Sequence, residues 1–129
     1  MLKVFFISLI NLIKFINLDI KKKEYVFFSE SKFYKDHFID LITNLKKRNQ
    51  NNIILITSDK DDMIFFKDIL TCYYIENYFI LRIFFKILKC KFLIMTLTDL
   101  GYHLEKSKFC SYYVYFFHAI ASTHKIYTQ

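Results

Sequence analysis

Read as a pattern of apolar and polar positions, the chain changes character several times along its length. It opens on "VFFISLINLIKFINL", Val4 to Leu18, its most hydrophobic stretch, in which polar residues recur at Ser8, Asn11, Lys14 and Asn17. At ~100° per residue a three-residue repeat slides around a helix, so the amphipathic face is poorly defined. "YVFF", Tyr25 to Phe28, reads as a short buried strand ending in Ser29-Glu30-Ser31. "YKDHFIDLITNLKKR" then carries Phe38, Leu41, Ile42 and Leu45 at helical spacing, with Asp36 in its first turn and Lys46, Lys47 and Arg48 in its last. A β-branched run, Asn52 to Thr57, predicts a second buried strand, and Asp59, Asp61 and Asp62 open a short helix over Met63 to Leu70.

The second half repeats the alternation. Tyr78 to Lys89 is apolar nearly all round, except for a stripe of Arg82, Lys86 and Lys89, as expected of a helix buried on most sides. "KFLIMTLTDL" predicts a third strand ending at Thr98-Asp99, and the polar loop "GYHLEKSK" follows. "YYVYFF" predicts a fourth strand, which delivers His118, and "STHK" reads as a helix start with Ser122 or Thr123 as N-cap. Continuous apolar strands separated by helices imply an α/β fold: a Rossmann-like parallel sheet covered by helices on both faces. The chain divides into an apolar N-terminal helix within residues 1–23 and a Rossmann-like domain over 24–129.

Composition narrows the function classes. With one Gly and no Pro among 129 residues, a glycine-rich phosphate cradle is excluded, and no nucleotide cofactor is expected to be held that way. The ten Tyr and sixteen Phe resemble AT-rich coding bias. The formal charge of +7 fits a nucleic-acid binder, a phosphate-handling enzyme, a protein resting on anionic lipid or simple lysine bias. The basic residues form scattered groups and no single tract, so nucleic acid is not the expected partner. Cys72, Cys90 and Cys110 are odd in number and lack C-x-x-C spacing, which argues for reduced thiols in a cytoplasmic protein. Cys110, His118 and His124 match no common ligand spacing, and no metal is expected.

The N-terminal stretch is shorter than the ~20 residues a bilayer crossing needs, and it carries Lys14. It reads first as a helix packed on protein and second as a membrane-surface helix, with Lys21 to Lys23 at the headgroups of the inner face of the cell membrane.

Ligands of open parallel sheets bind outside the carboxyl ends of the strands. Polar or ionisable residues stand at all four predicted ends: Ser29 and Glu30, Ser58 and Asp59 after Thr57, Thr98 and Asp99, and His118. Each has a plainer reading as a turn or cap residue, or, for His118, as a satisfied core histidine. An imidazole is nonetheless suited to accept a proton near neutral pH, with Asp99 or Glu30 to orient it.

"YVFFSESKFYKDHFIDLI", "ILITSDKDD", "KCKFLIMTLTDLGYHLEKSK" and "YYVYFFHAIASTHKIYT" together resemble the N-terminal domain of CDP-glycerol glycerophosphotransferase-like proteins of teichoic-acid and capsule polymer synthesis. The resemblance covers about residues 24–129 and is most specific at "TLTDLG" and "FFHAIASTHKIY". It implies the N-terminal, acceptor-side half of a GT-B-like architecture. It further implies a CDP-glycerol or related CDP-alcohol donor, and a polyol-phosphate or glycan acceptor. His118 would be the base on the acceptor hydroxyl and Asp99 its supporting group, while Ser122, Thr123 and His124 would line the acceptor site with Ser29, Glu30, Ser58, Asp59 and Thr98. Ala119 stands where the family often has Gly. The donor-binding domain the family carries is missing from these 129 residues, so a partial chain, inactive alone, is expected. The alternative is a small non-catalytic protein that docks on a membrane or a partner through Val4 to Leu18.

Overall fold

The computed structural model describes residues 2–31, 35–95 and 107–115. Its elements in chain order are α1 (Leu2–Ile16), a 3-10 turn (Ile20–Lys22), β1 (Tyr25–Ser29), α2 (Lys35–Lys47), β2 (Ile53–Thr57), α3 (Lys60–Phe66), β3 (Thr71–Tyr74), α4 (Tyr78–Ile87), β4 (Cys90–Met95) and β5 (Cys110–Tyr115). The five strands form one sheet in the order β3-β2-β1-β4-β5, and every pairing is parallel.

The apolar runs explain the layering. Side chains alternate across a strand, so a strand with helices over both faces must be apolar throughout. In β1, Val26 and Phe28 face one core, with Ile54 and Ile56 of β2, Leu12 and Phe15 of α1, and Phe84 and Phe85 of α4. Phe27 turns to the other face, with Ile53 and Leu55 of β2, Phe38 and Ile42 of α2, and Phe66 of α3. Helices α2 and α3 therefore share one face while α1 and α4 cover the opposite one. Crossovers of a single hand produce this split: the chain runs outward from β1 to β3, then returns over the other face to lay β4 beside β1, as the general preference for right-handed connections leads one to expect.

The sheet has one strand more than the pattern predicts. Thr71–Tyr74 pairs with β2, and its four residues lie in a stretch that sequence reading left between two helices. Helix α3 starts at Lys60, capped by Asp59, and ends at Phe66, short of the expected Leu70. The amides of Ile69 and Leu70 close back onto Phe66 O, and the chain turns there into β3. The predicted third and fourth strands correspond to β4 and β5, which begin at Cys90 and Cys110. Chain reversal proceeds almost without glycine: Asn49, at φ 62°, occupies the left-handed position after α2, where Gln50 N bonds Leu45 O at 2.9 Å and Asn49 N bonds Lys46 O at 3.0 Å.

Helix α1 belongs to this architecture. Ser8 is fully buried, and its Oγ accepts from the amides of Glu76 (3.2 Å) and Asn77 (3.0 Å), while Asn11 Nδ2 donates to Tyr74 O at 2.8 Å. Lys23 is also buried: its Nζ donates to Ile16 O at 3.2 Å and lies 4.6 Å from the centre of the Phe15 ring. Lys21 and Lys22 stay exposed, so Lys23 is withdrawn from the basic group expected at a membrane surface. No helix among the described residues is long and apolar enough to cross a membrane.

Ser8→Ala leaves two amides at the α1 junction without an acceptor, and should cost about 1–3 kcal/mol in urea unfolding. Asn17→Ala, at an exposed position of the same polar periodicity, should change stability by less than about 0.5 kcal/mol.

Candidate functional site at the carboxyl edge of the sheet

The carboxyl ends of β1 and β2 lie side by side, with Ser29 in register with Thr57. Both residues continue the alternation that points Phe27 and Leu55 toward the α2–α3 layer. The same phase that buries those apolar side chains therefore buries these two hydroxyls.

Asp62, in the first turn of α3, enters between them. The Ser29 hydroxyl donates to the Asp62 carboxylate, with the Ser31 carbonyl oxygen as a second acceptor 3.0 Å away. Thr57 Oγ1 donates to Asp62 Oδ2 at 3.2 Å and accepts from the Asp59 amide at 3.0 Å. By taking the amide of the N-cap residue, Thr57 supplies the contact that the third helical residue often makes in a capping box, and Asp62 turns inward instead. Asp62 has no exposed surface, and its Oδ1 has no hydrogen-bond partner. Burial pushes its carboxyl above the usual carboxylate range. The bonds from Ser29 and Thr57 oppose that shift, nearby Asp59 adds to it, and Lys35 works against it.

Above this tie lies an open cleft of about 370 Å³ lined by Glu30, Ser58, Asp59, Lys60, Tyr74 and Glu76. Ser58 is fixed by its Oγ, which donates to Ile75 O at 2.8 Å, and by its amide, which bonds Ser29 O at 3.1 Å. Asp59 accepts from the Asp61 amide at 2.8 Å as the N-cap of α3. The Tyr74 hydroxyl donates to Glu76, and burial followed by that bond raises the phenol above its ordinary value. Three carboxylates face one ammonium, so the lining attracts hydroxyl and cationic groups and opposes a phosphate. No group of three or more possible metal ligands occurs among the described residues.

A larger cavity, about 540 Å³, lies at the opposite edge, where Lys21, Lys23, Glu24, Asn52, Cys90 and Lys91 ring the amino ends of the strands. Substrate sites of open parallel sheets form at the carboxyl edge, which makes the smaller cleft the candidate.

Four of the sequence-predicted residues lie together here: Ser29 beneath the cleft, and Glu30, Ser58 and Asp59 in its wall. Ser29 is sealed in the tie to Asp62, which makes it a support of the cleft floor and not a contact residue. Asp99, Thr98, His118, Ser122, Thr123 and His124 lie outside the described residues. Sequence reading missed Tyr74 and Glu76, which come from the unpredicted β3 edge; the run "TCYYI" has strand-type residues but is too short to show a period. It also read Asp62 only as a helix opener. Nothing in "SDKDD" tells which aspartate turns inward.

A carboxyl whose folded pKa is raised stabilises the fold most below its unfolded value of 3.8, and that stability is lost as the pH rises through the folded value. Urea unfolding of Asp62→Asn beside the wild type should show the difference moving in the variant's favour from about pH 4 upward, then levelling off. A difference independent of pH would mean that Asp62 titrates alike in both states.

No family model, curated protein or solved structure matches the chain.

Proposed function

We propose that the cleft at the carboxyl edge binds the hydroxyl-bearing end of an acceptor, and that the chain is the acceptor-side domain of a CDP-alcohol phosphotransferase of the glycerophosphotransferase type. The single observation carrying this reading is the lining itself: Ser58, Tyr74, Glu30, Asp59 and Glu76 supply hydroxyl and carboxylate groups at a strand-end edge, with Lys60 as the one cation. Carboxylates accept hydrogen bonds from the vicinal hydroxyls of a polyol or glycan and disfavour a diphosphate. That preference suits the acceptor end of the reaction and leaves the donor nucleotide to another domain, as the resemblance over residues 24–129 implies.

The acceptor hydroxyl attacks the phosphorus of the glycerol phosphate unit and CMP leaves, so the site's main tasks are positioning and proton removal. The base in this reading is His118, with Asp99 as its support. The acceptor polymer is built at the inner face of the cell membrane, where the protein works from the cytoplasmic side.

An NMR titration with a short uncharged glycan oligomer, whose vicinal hydroxyls the lining would accept, tests the reading. The amides of Ser58, Asp59 and Glu76 should shift, and Glu76→Gln should weaken binding about tenfold. CDP-glycerol alone should leave these amides unmoved. Shifts confined to another surface, or none at millimolar oligomer, would refute the assignment.

A second reading, a non-catalytic protein docked on anionic lipid, is favoured by the outer side of α1. Leu2, Phe6, Ile10, Ile13 and Ile16 form an exposed apolar stripe on the side away from Leu12 and Phe15, with Lys3, Lys14, Lys21 and Lys22 exposed on the same segment. In a flotation assay with phosphatidylglycerol vesicles, Phe6→Glu combined with Ile13→Glu should abolish binding that neutral vesicles never support. Equal flotation of variant and wild type would dismiss this surface.

A further inference from the structure

The spacing of the three cysteines gives no reason to pair any two of them, but the register of the sheet does. Cys90 is the first residue of β4 and Cys110 the first of β5, and the two stand directly opposite each other. Their sulfur atoms are 3.4 Å apart, one thiol donating to the other. We infer that Cys90 and Cys110 form a reversible dithiol–disulfide site that takes a small anionic disulfide of the glutathione type as its oxidant.

The geometry carries this in three ways. A disulfide requires sulfurs at about 2.05 Å, so the pair has to close by only a little more than about 1 Å. Both residues sit at strand starts, and among the described residues β5 pairs with β4 and with no other strand, so the closing movement meets little resistance. The cavity of about 540 Å³ at the amino edge reaches the pair at Cys90 and at Ser111, next to Cys110; Lys91 in its wall pairs with Glu24 at 3.7 Å and Lys23 is held by Ile16 O, so exposed Lys21 is left to draw in a carboxylate-bearing reagent and the wall keeps a net positive charge.

The two thiols differ in character. Cys110 is half-buried and is held below the ordinary thiol value, chiefly by the hydrogen bond from Cys90; Cys90 is buried, and the same bond together with burial raises it. Cys110, the more exposed of the two, is the attacking group. Its thiolate bonds to one sulfur of the disulfide reagent and expels the first thiolate, leaving a mixed disulfide on Cys110. Cys90 gives up its proton, attacks the Cys110 sulfur and expels the second thiolate. Two electrons pass from the cysteine pair to the reagent, and two thiols leave with the two protons. The product ties the edge strand covalently to β4.

Cys72 is the internal control. It lies on β3, with β2 and β1 between it and β4, packs in the opposite core, and is pushed up to about 12 by burial.

The test exposes the full chain to glutathione buffers of increasing oxidation, followed by thiol counting in denaturant and intact mass. The three free thiols should fall to one, with a monomer about 2 Da lighter and a cross-linked peptide joining Cys90 to Cys110. Cys72→Ser should lose the same mass. Cys90→Ser, lacking the resolving thiol, should hold one glutathione on Cys110 and gain about 305 Da. Three thiols persisting at the most oxidising ratio would overturn the inference, as would a bridge that includes Cys72 or joins two chains, or a Cys90→Ser protein that stays unmodified.

Discussion

Strand β1 is bounded on every side, and the rest of the molecule is arranged to make that possible. It pairs with β2 along one edge and β4 along the other, and Val26, Phe27 and Phe28 have 1% or less of their surface exposed. A parallel strand in this position has its backbone groups satisfied within the sheet, but it has no wet face, so both layers of helices must form before it is stable. Aromatic rings seal the two faces edge-on: Phe28 meets Phe85 of α4 at 4.9 Å between ring centres, and Phe27 meets Phe38 of α2 at 5.4 Å. The phenylalanine bias of the sequence thus supplies the core, and its β-branched residues extend the sheet to either side.

The same parallel arrangement separates two chemistries. All strands point one way, so their carboxyl ends share an edge with Ser29, Thr57, the buried Asp62 and the acidic cleft, and their amino ends share another with Lys21, Lys23, Lys91 and the cysteine pair. The Asp62 tie anchors the carboxyl edge to the core: its hydroxyl partners are buried by the phase of β1 and β2, and its carboxylate by the start of α3. A group that burial disfavours in its charged form persists there because it fixes the first turn of α3 against two strand ends at once. The cleft above it inherits that rigidity through Asp59, which caps the same helix.

Elements with a strong local signal were legible in advance. Helix α2 follows from Phe38, Leu41, Ile42 and Leu45 with charges matched to its ends, and β1 and β2 follow from unbroken apolar runs bounded by turn residues. Strand β3 was not legible in the same way, because four residues between two apolar helices offer too short a window for either periodicity. The N-terminal segment was ambiguous for a different reason. Ser8 and Asn11 look like breaks in an apolar helix until the β3–α4 connection is placed beside them, and then they become its hydrogen-bond partners.

What the sequence determined by itself was the class of the fold and the kind of residue at the ends of β1 and β2, because burial on both faces and turn chemistry act within a few residues of the chain. Only the tertiary structure decided which of these residues meet. Asp62 lies five residues from Thr57 but 33 from Ser29, Glu76 is 68 from Ser8, and Cys110 is 20 from Cys90. Such pairs are created by strand order and register, and those depend on how the helices divide between the two faces of the whole sheet, which no local pattern encodes.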